Sequence, residues 1–260
     1  MSQKTIWIHG INGKMGRMLE EAVEASSQFE LLGGSSRELV ESFSQGEKVK
    51  NKIPLKEGLK EASLVIDFST INGNKALYEI AAQNPPSCYL IATTGLDPQM
   101  KQAWQQLAEK GSKVLFAANT SLGVLLSHLV SKQVAKALRG LDFDIEIHET
   151  HHRHKVDAPS GTALFLANGI GEQENLKVTT DRKGRRQDGE IGVAALRGGS
   201  VFGEHTIHFL GEREEITISH RALSRKLFAS GGLILGKWLL KKKEVGFFEL
   251  KDIAIEELSY

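Results

Sequence analysis

Three histidines, an arginine and a lysine fill five consecutive positions, His151-His152-Arg153-His154-Lys155. Imidazoles exchange protons near neutral pH, and a knot of cations attracts carboxylates. The segment that follows, Val156-Asp157-Ala158-Pro159-Ser160-Gly161-Thr162, runs into an apolar helical stretch and reads as a helix start, with Ser160 or Thr162 as its cap. The unpaired N–H groups of a helix N-terminus bind anions. Cationic side chains beside such an end form a natural receptor for a carboxylate. The alternatives are a solvated basic strand end for the cluster and a purely structural cap for Ser160 and Thr162.

The same stretch contains H-E-x-x-H, from His148 to His152, which on a helix is the zinc-binding pattern of metalloproteases. Here the preceding residues alternate strictly: Phe143, Ile145 and Ile147 on one face, Asp144, Glu146 and His148 on the other. That is the period of a strand. Four strand steps separate the two histidines by ~13 Å, whereas ligands on one zinc lie only about 4 Å apart. No metal is expected.

A second set of candidates stands at the ends of apolar runs in the first half. Gly10, Gly13 and Gly16 follow TIWIH. A glycine turn between strand and helix aims N–H groups and the positive helix end at a phosphate and lets a pyrophosphate approach the backbone. The spacing is G-x-x-G-x-x-G, with Asn12 at the usual second-glycine position, so a turn without a ligand remains open. Ala92-Thr93-Thr94-Gly95 and Ala117-Ala118-Asn119-Thr120 end two further runs. In an open α/β sheet ligands bind beyond the carboxyl ends of strands, and small residues there leave room for a nicotinamide ring and ribose. Ordinary turn chemistry accounts for either segment equally well. Asp67 reads as a helix cap or a loop organiser. The second run, FELLGGSS, ends at Ser35-Ser36 with Arg37 next. An acid at this strand end would accept from a ribose 2′-hydroxyl and repel a 2′-phosphate. Ser36 and Arg37 instead offer a donor and a phosphate partner, which points to NADPH over NADH. The alternative is a solvated Arg37 and use of both cofactors.

These residues need elements to hold them. In the first half, short apolar runs alternate with amphipathic helical segments, NGNKALYEIAAQN and DPQMKQAWQQLAEKG among them, which argues for βαβ units and a parallel sheet. After Asn119 comes a long amphipathic helix, then the alternating FDIEIHETH, then HTIHFLGEREEITISH, which reads as a β-hairpin around Gly211-Glu212-Arg213. This region reads as an antiparallel or mixed sheet. LFASGGLILGKWLLKKK is a final helix with lysines at its C-terminus. The expected fold is α/β, with residues 1–119 and the C-terminal segment 226–260 in one domain and 120–225 in an α+β domain.

Composition narrows the function. A chain of 260 residues accommodates two modest domains, and a net charge of +1 gives no global field for nucleic acid or an anionic membrane. Arg182-Lys183-Gly184-Arg185-Arg186 is read as a mobile solvated loop rather than a nucleic-acid patch. Cys88 is the only cysteine, which fits a reducing compartment, and neither a signal peptide nor a membrane-length apolar run is present. A cytoplasmic protein without nucleic-acid or membrane partners is expected.

The string EIHETHHRHKVDAPSGTAL closely resembles the signature segment of 4-hydroxy-tetrahydrodipicolinate reductases. The likeness extends over nearly the whole chain, through GINGKMGR, the DFS strand end, the TTG and AAN turns, Arg197-Gly198-Gly199 and Gly203-Glu204-His205. The resemblance implies a Rossmann-like cofactor domain, a substrate-binding and oligomerisation domain, a homotetramer, and NADH or NADPH as hydride donor. It implies a small cyclic dicarboxylate substrate of the lysine and diaminopimelate pathway. It places the acid/base histidine at His151, the proton-donating lysine at Lys155, and carboxylate contacts at His152, Gly161 and Thr162, with Ser160 adjacent. Cofactor contacts fall on Gly10, Ile11, Asn12, Gly13, Lys14 and Met15, on Ala92, Thr93 and Thr94, and on Ala117, Ala118, Asn119 and Thr120. Two departures stand out: Ala92 replaces a glycine, and Ser36 stands where many members carry a glutamate for the adenosine ribose.

The chemistry implied is hydride transfer to a carbon conjugated to a ring imine, followed by protonation of the enamine by Lys155 or His151. With cofactor and substrate on different domains, closure would align donor and acceptor and exclude water. Alternative readings are another Rossmann-type imine or aldehyde reductase with a small acidic substrate, and a non-catalytic NAD(P)-binding sensor.

Overall fold

The computed structural model describes residues 3–36, 40–44, 47–49, 55–84 and 87–258. They form two compact units, one of residues 1–121 and 226–260, the other of residues 122–225.

The first unit is built on an eight-stranded sheet. Its strands are β1 (Lys4–His9), β2 (Phe29–Ser35), β3 (Val40–Ser44), β4 (Glu47–Val49), β5 (Leu64–Asp67), β6 (Cys88–Ile91), β7 (Lys113–Phe116) and, from the end of the chain, β13 (Gly246–Glu249). The order is β13-β7-β6-β5-β1-β2-β3-β4, parallel from β13 to β2 and antiparallel across β3 and β4. After β1 the chain moves outward to β2, β3 and β4, then returns to β5 on the other side of β1. That reversal is a topological switch point, where ligands of open α/β sheets bind. The parallel sheet expected from the alternating pattern is present, and with it the Rossmann-like domain that the resemblance implies.

Helices α1 (Lys14–Glu24), α2 (Leu55–Glu61), α3 (Ile71–Ala81), α4 (Pro98–Glu109) and α7 (Lys226–Lys241) flank this sheet. Trp7, Val65, Tyr89, Ile91 and Val114 pack with Leu59, Leu77, Trp104 and Leu107 from α2, α3 and α4 on one face. The other face meets α1 and α7. Gly236 lets α7 lie close: a Cβ there would come within 2.4 Å of Leu64 Cδ2. Burial on both faces explains the unbroken apolar runs of β5 and β6.

The second unit carries the mixed sheet β12-β11-β8-β10-β9. Its strands are β8 (Phe143–His151), β9 (Lys177–Thr179), β10 (Glu190–Arg197), β11 (Glu204–Gly211) and β12 (Glu215–Arg221). β11 and β12 form the expected hairpin. β10 lies parallel to β8 and pairs Arg197 with His151. Its sequence, with Gly192, Ala194 and Ala195, carries almost no period-two signal, so pairing rather than pattern defines it. Helices α5 (Leu122–Ala137) and α6 (Gly161–Glu174) contribute Ala135, Ala163, Leu166, Ala167 and Ile170 to a core with Ile145, Ile147, Ile191, Val193, Ile207 and Phe209 from the sheet.

One sequence expectation is overturned here. Arg182 and Arg186 are not a free solvated loop. Arg182 pairs with Glu146 and with Glu190, the latter at 2.7 Å, and Arg186 pairs with Asp144 at 2.8 Å. The wet face of β8 is acidic, and the charge run answers it across the sheet. Among the described residues no helix is long and apolar enough to cross a membrane.

α5 and α6 bury His128 against the Phe165 ring, with centroids 4.2 Å apart. Neither ring nitrogen has a partner among the described residues, and Gly169 leaves the imidazole its space, since a Cβ there would meet Cε1 at 2.0 Å. Burial, with Lys132 nearby, pushes the His128 pKa from 6.5 down to about 4. Unfolding frees the ring to take a proton, so stability is intact above pH 6.5 and falls as pH drops toward 4. This one group contributes about 3 kcal/mol to that loss. His128→Leu is expected to flatten the dependence of urea-unfolding free energy on pH over this window. An unchanged slope would show that the ring is not buried neutral.

Candidate active site

The candidate cofactor residues of the first unit come together along one edge. Gly10–Gly16 follow β1, Ser36 follows β2, Ala92–Thr94 follow β6, and Ala117–Thr120 follow β7. All stand at carboxyl ends of the parallel strands, on either side of the switch point. Arg37 lies outside the described residues.

The glycine turn is fixed sterically. Gly10 has φ +89°, and a Cβ there would meet the Phe68 carbonyl oxygen at 2.9 Å. At Gly16 a Cβ would fall 2.2 Å from the Gly10 carbonyl oxygen, so only glycine lets α1 close onto the turn. Gly10 N–H and Ile11 N–H donate to the Ser35 carbonyl, tying the turn to the end of β2. No side chain caps α1 at Gly13, and its first turn carries no acid. A phosphate fits such a helix end. Asn12 Nδ2 donates to Ser36 Oγ at 3.0 Å, joining the ends of β1 and β2.

Asp67 is a loop organiser. It is fully buried and accepts from Ser69 N–H at 2.9 Å, Asn74 Nδ2 at 2.7 Å and Thr93 Oγ1 at 2.8 Å. Trp104 Nε1 donates to Asn74 Oδ1, which extends the network into α4. The Thr93 hydroxyl is thereby turned inward, and Thr120 Oγ1 likewise donates to the Phe228 carbonyl at 2.7 Å. Thr94 and Gly95 are exposed in the turn after β6, and Ala118 in the turn after β7.

In the second unit the basic cluster lies where β8 ends and α6 begins. His151 is the last residue of β8, and its face is the inward one. Its Nδ1 is 2.5 Å from Glu149 Oε2. Glu149 also receives Arg197 in bidentate fashion, at 2.8 and 2.7 Å, and the Ser160 N–H at 2.9 Å. Burial pushes the Glu149 carboxyl up, but the donors from Arg197, His151 and Ser160 outweigh it and hold it below the usual carboxylate range. Burial lowers the His151 pKa; the Glu149 contact opposes that shift, and Lys155 and Arg197 reinforce it. Burial outweighs the Glu149 contact, so the ring that faces this carboxylate through Nδ1 is held below its ordinary pKa.

Ser160, rather than Thr162, caps α6, accepting from Ala163 N–H at 3.2 Å. Its hydroxyl is buried and lies 3.3 Å from His205 Nε2. Burial, with His151 close by, drives the His205 pKa down to about 3. Gly161 has open space where a side chain would sit, and Gly161 and Thr162 start the helix on its outer side. Lys155 Nζ pairs with Asp157 Oδ1 at 2.8 Å, and that contact holds Asp157 below its ordinary range. His152 is half-buried. His148 faces the other side of the strand, with Nδ1 2.9 Å from His208 Nε2. Among the described residues no group of three histidine, cysteine or acidic side chains is placed to hold a metal ion.

Glu149 and Arg197 were absent from the sequence-derived list of site residues. A signal for Glu149 existed: it continues the inward series Phe143, Ile145, Ile147, and a carboxylate on a buried face requires a partner. Arg197 belongs to a string that carries the family resemblance, but it lies 48 residues from Glu149, and nothing local pairs the two.

A family profile described as dihydrodipicolinate reductase, N-terminus, matches residues 4–120, and one described as its C-terminus matches residues 123–254. A 4-hydroxy-tetrahydrodipicolinate reductase of Zymomonas mobilis is 41% identical over 260 residues, covering 97% of each chain. Its counterpart from Caulobacter vibrioides is 36% identical over 261 residues, covering 97% of this chain and 98% of that one. A dipicolinate-bound dihydrodipicolinate reductase from Paenisporosarcina sp. TG-14 has a similar fold, with a TM-score of 0.76 at 23% identity over 97% of this chain and 100% of the other.

The Asp67 network predicts its own sensitivity. Three donors converge on the carboxylate, and an amide would turn an N–H toward one of them. Asp67→Asn is expected to cost about 1–3 kcal/mol of stability, measured by urea unfolding. A loss below about 0.5 kcal/mol, the usual size for a plain surface change, would contradict the network.

Proposed function

The chain belongs to the dihydrodipicolinate reductase family, NAD(P)H-dependent oxidoreductases, and we infer that it reduces 4-hydroxy-tetrahydrodipicolinate to tetrahydrodipicolinate in lysine and diaminopimelate biosynthesis. The observation that carries this reading is the two-profile match spanning the chain, together with a buried imidazole held on a carboxylate near the start of a helix.

The first unit is the cofactor domain in this reading. Gly10 through Gly16 take the pyrophosphate at the start of α1, where Gly13 and the uncapped helix end suit an anion. Ala92, Thr93, Thr94 and Ala117 through Thr120 line the nicotinamide side with backbone and small side chains. When bound, the reduced nicotinamide supplies the hydride. Ser36 and Arg37 receive the adenosine ribose, and NADPH is preferred over NADH because a serine and an arginine follow Ser35 in the sequence where an acid would repel a 2′-phosphate.

The second unit takes the substrate. N–H groups of Gly161 and Thr162 and the His152 side chain hold its carboxylates. Lys155 delivers a proton to the ring, and His151, neutral before substrate arrives, accepts or returns one through Nε2. A dianion beside a neutral imidazole favours the charged ring, so substrate raises the His151 pKa. The quaternary state in this reading is a homotetramer in the cytoplasm.

Three measurements test these assignments. Lys155→Ala and His151→Gln are each expected to lower kcat by ~10²–10⁴-fold, the usual worth of positioned proton transfer, with cofactor affinity little changed; near-normal turnover would remove the role from that residue. Titrating the protein with pyridine-2,6-dicarboxylate in buffers of different ionisation enthalpy is expected to reveal proton uptake, absent in His151→Gln. Equal uptake in both proteins would exclude His151 as its source. For cofactor choice, kcat/KM should favour NADPH, and Arg37→Ala should reduce that preference by roughly 10–150-fold, the worth of a charged hydrogen bond. A parent favouring NADH, or a preference unmoved by the substitution, would refute the reading of the β2 end.

A further inference from the structure

We propose that Glu149 is a positioning residue of this site: its buried carboxylate locks His151 into the tautomer that carries its proton on Nδ1 and presents a bare Nε2 beside Gly203, with Arg197 holding the carboxylate in place. The proposal rests on the assignment of His151 as acid/base made above.

An ionised carboxylate only accepts hydrogen bonds and offers about four lone-pair sites. At Glu149 four donors fill them: the His151 ring, two N–H groups of Arg197 and the Ser160 backbone. The imidazole nitrogen facing this carboxylate must therefore be the protonated one, which leaves Nε2 with its lone pair. Gly203 sits against that nitrogen, where a Cβ would come to 2.9 Å. Any side chain there would press on that nitrogen. Gly198 N–H pins the backbone of His151 by donating to its carbonyl at 2.9 Å, and the His205 ring stands edge-on to the imidazole at 5.1 Å.

The charges around the ring assign Arg197 its part. His151 is faced by Glu149 from its own strand, Arg197 from β10, His205 from β11 and Lys155 from the following loop. His220 on β12 lies behind His205. The Glu149 charge favours a protonated ring. Burial first, then the charges of Lys155 and Arg197, oppose it, so Glu149 orients the ring without forcing a proton onto Nε2. The arrangement follows the logic of a carboxylate–histidine pair in which the acid sets tautomer and direction rather than taking the proton.

A merely structural Glu149, anchoring β8, β10 and α6, would give different results. Glu149→Gln in the intact enzyme is expected to lower kcat by about 10²-fold or more, with KM for NADPH little changed. Its pH–kcat/KM limb should move to lower pH, because a negative charge next to His151 is lost. Arg197→Met should move the same limb to higher pH. Opposite shifts from the two partners are not expected of a scaffold. Should either variant fail to fold, the imidazole 15N spectrum of the unmodified protein decides the matter, with the His151 signals identified by their loss in His151→Gln. The Nδ1–H tautomer is expected. An Nε2–H tautomer, or a Glu149→Gln enzyme with parental kcat and pH limb, overturns the proposal. If His151→Gln is inactive while Glu149→Gln is normal, only the positioning role falls; if His151→Gln is itself active, the acid/base assignment falls first.

Discussion

Glu149 is a carboxylate with no solvent exposure. Removing such a charge from water costs several kcal/mol unless partners replace the lost hydration. The second unit is arranged so that they do. Parallel pairing of β10 with β8 sets Arg197 beside His151, within reach of the carboxylate two residues earlier. The chain then loops through Lys155 and returns so that the Ser160 N–H donates to the same group at the first turn of α6. Satisfying one buried charge thus brings the end of β8, the end of β10 and the start of α6 to one point, and His151, Lys155, Gly161 and Thr162 are placed as a consequence.

The first unit solves a similar problem with neutral partners. Asp67 ends β5 and gathers a backbone N–H from the turn after β5, an amide from α3 and a hydroxyl from the turn after β6. In both units a buried acid at the carboxyl end of a strand ties down loops that would otherwise sample many conformations. Such preorganisation reduces the entropy that must be lost when a ligand binds. The glycine turn after β1 adds a steric condition: the close approach of Gly16 to the Gly10 carbonyl leaves no alternative residue at that contact.

Much of this was legible in the chain. The strict alternation over 143–148 identified β8 and its buried face. Continuous apolar runs marked β1, β5, β6 and β7, because strands covered on both faces have no polar side to display. The edges were less legible. β13 is four residues long and completes the sheet only through β7, and β10 is nearly patternless. The charge run at 182–186 read as free because the acids it meets, Asp144 and Glu146, lie some forty residues earlier.

The division between the two levels follows the range of the forces involved. Periodicity, turn residues and helix starts depend on neighbours within a few positions, so the sequence by itself determined the βαβ half, the hairpin, the glycine turn and the helix that begins after Pro159. It also put the imidazole and the lysine into one short segment, His151 to Lys155. Sheet order is a long-range property, and only the folded chain could line up the ends of β7, β6, β1 and β2 on one edge. The same holds for the protonation of His151. Which ring nitrogen carries the proton, and whether the ring is charged, depend on a carboxylate, a guanidinium 48 residues away and the burial of all three. Those electrostatic terms exist only once tertiary packing has excluded the water that would otherwise screen them.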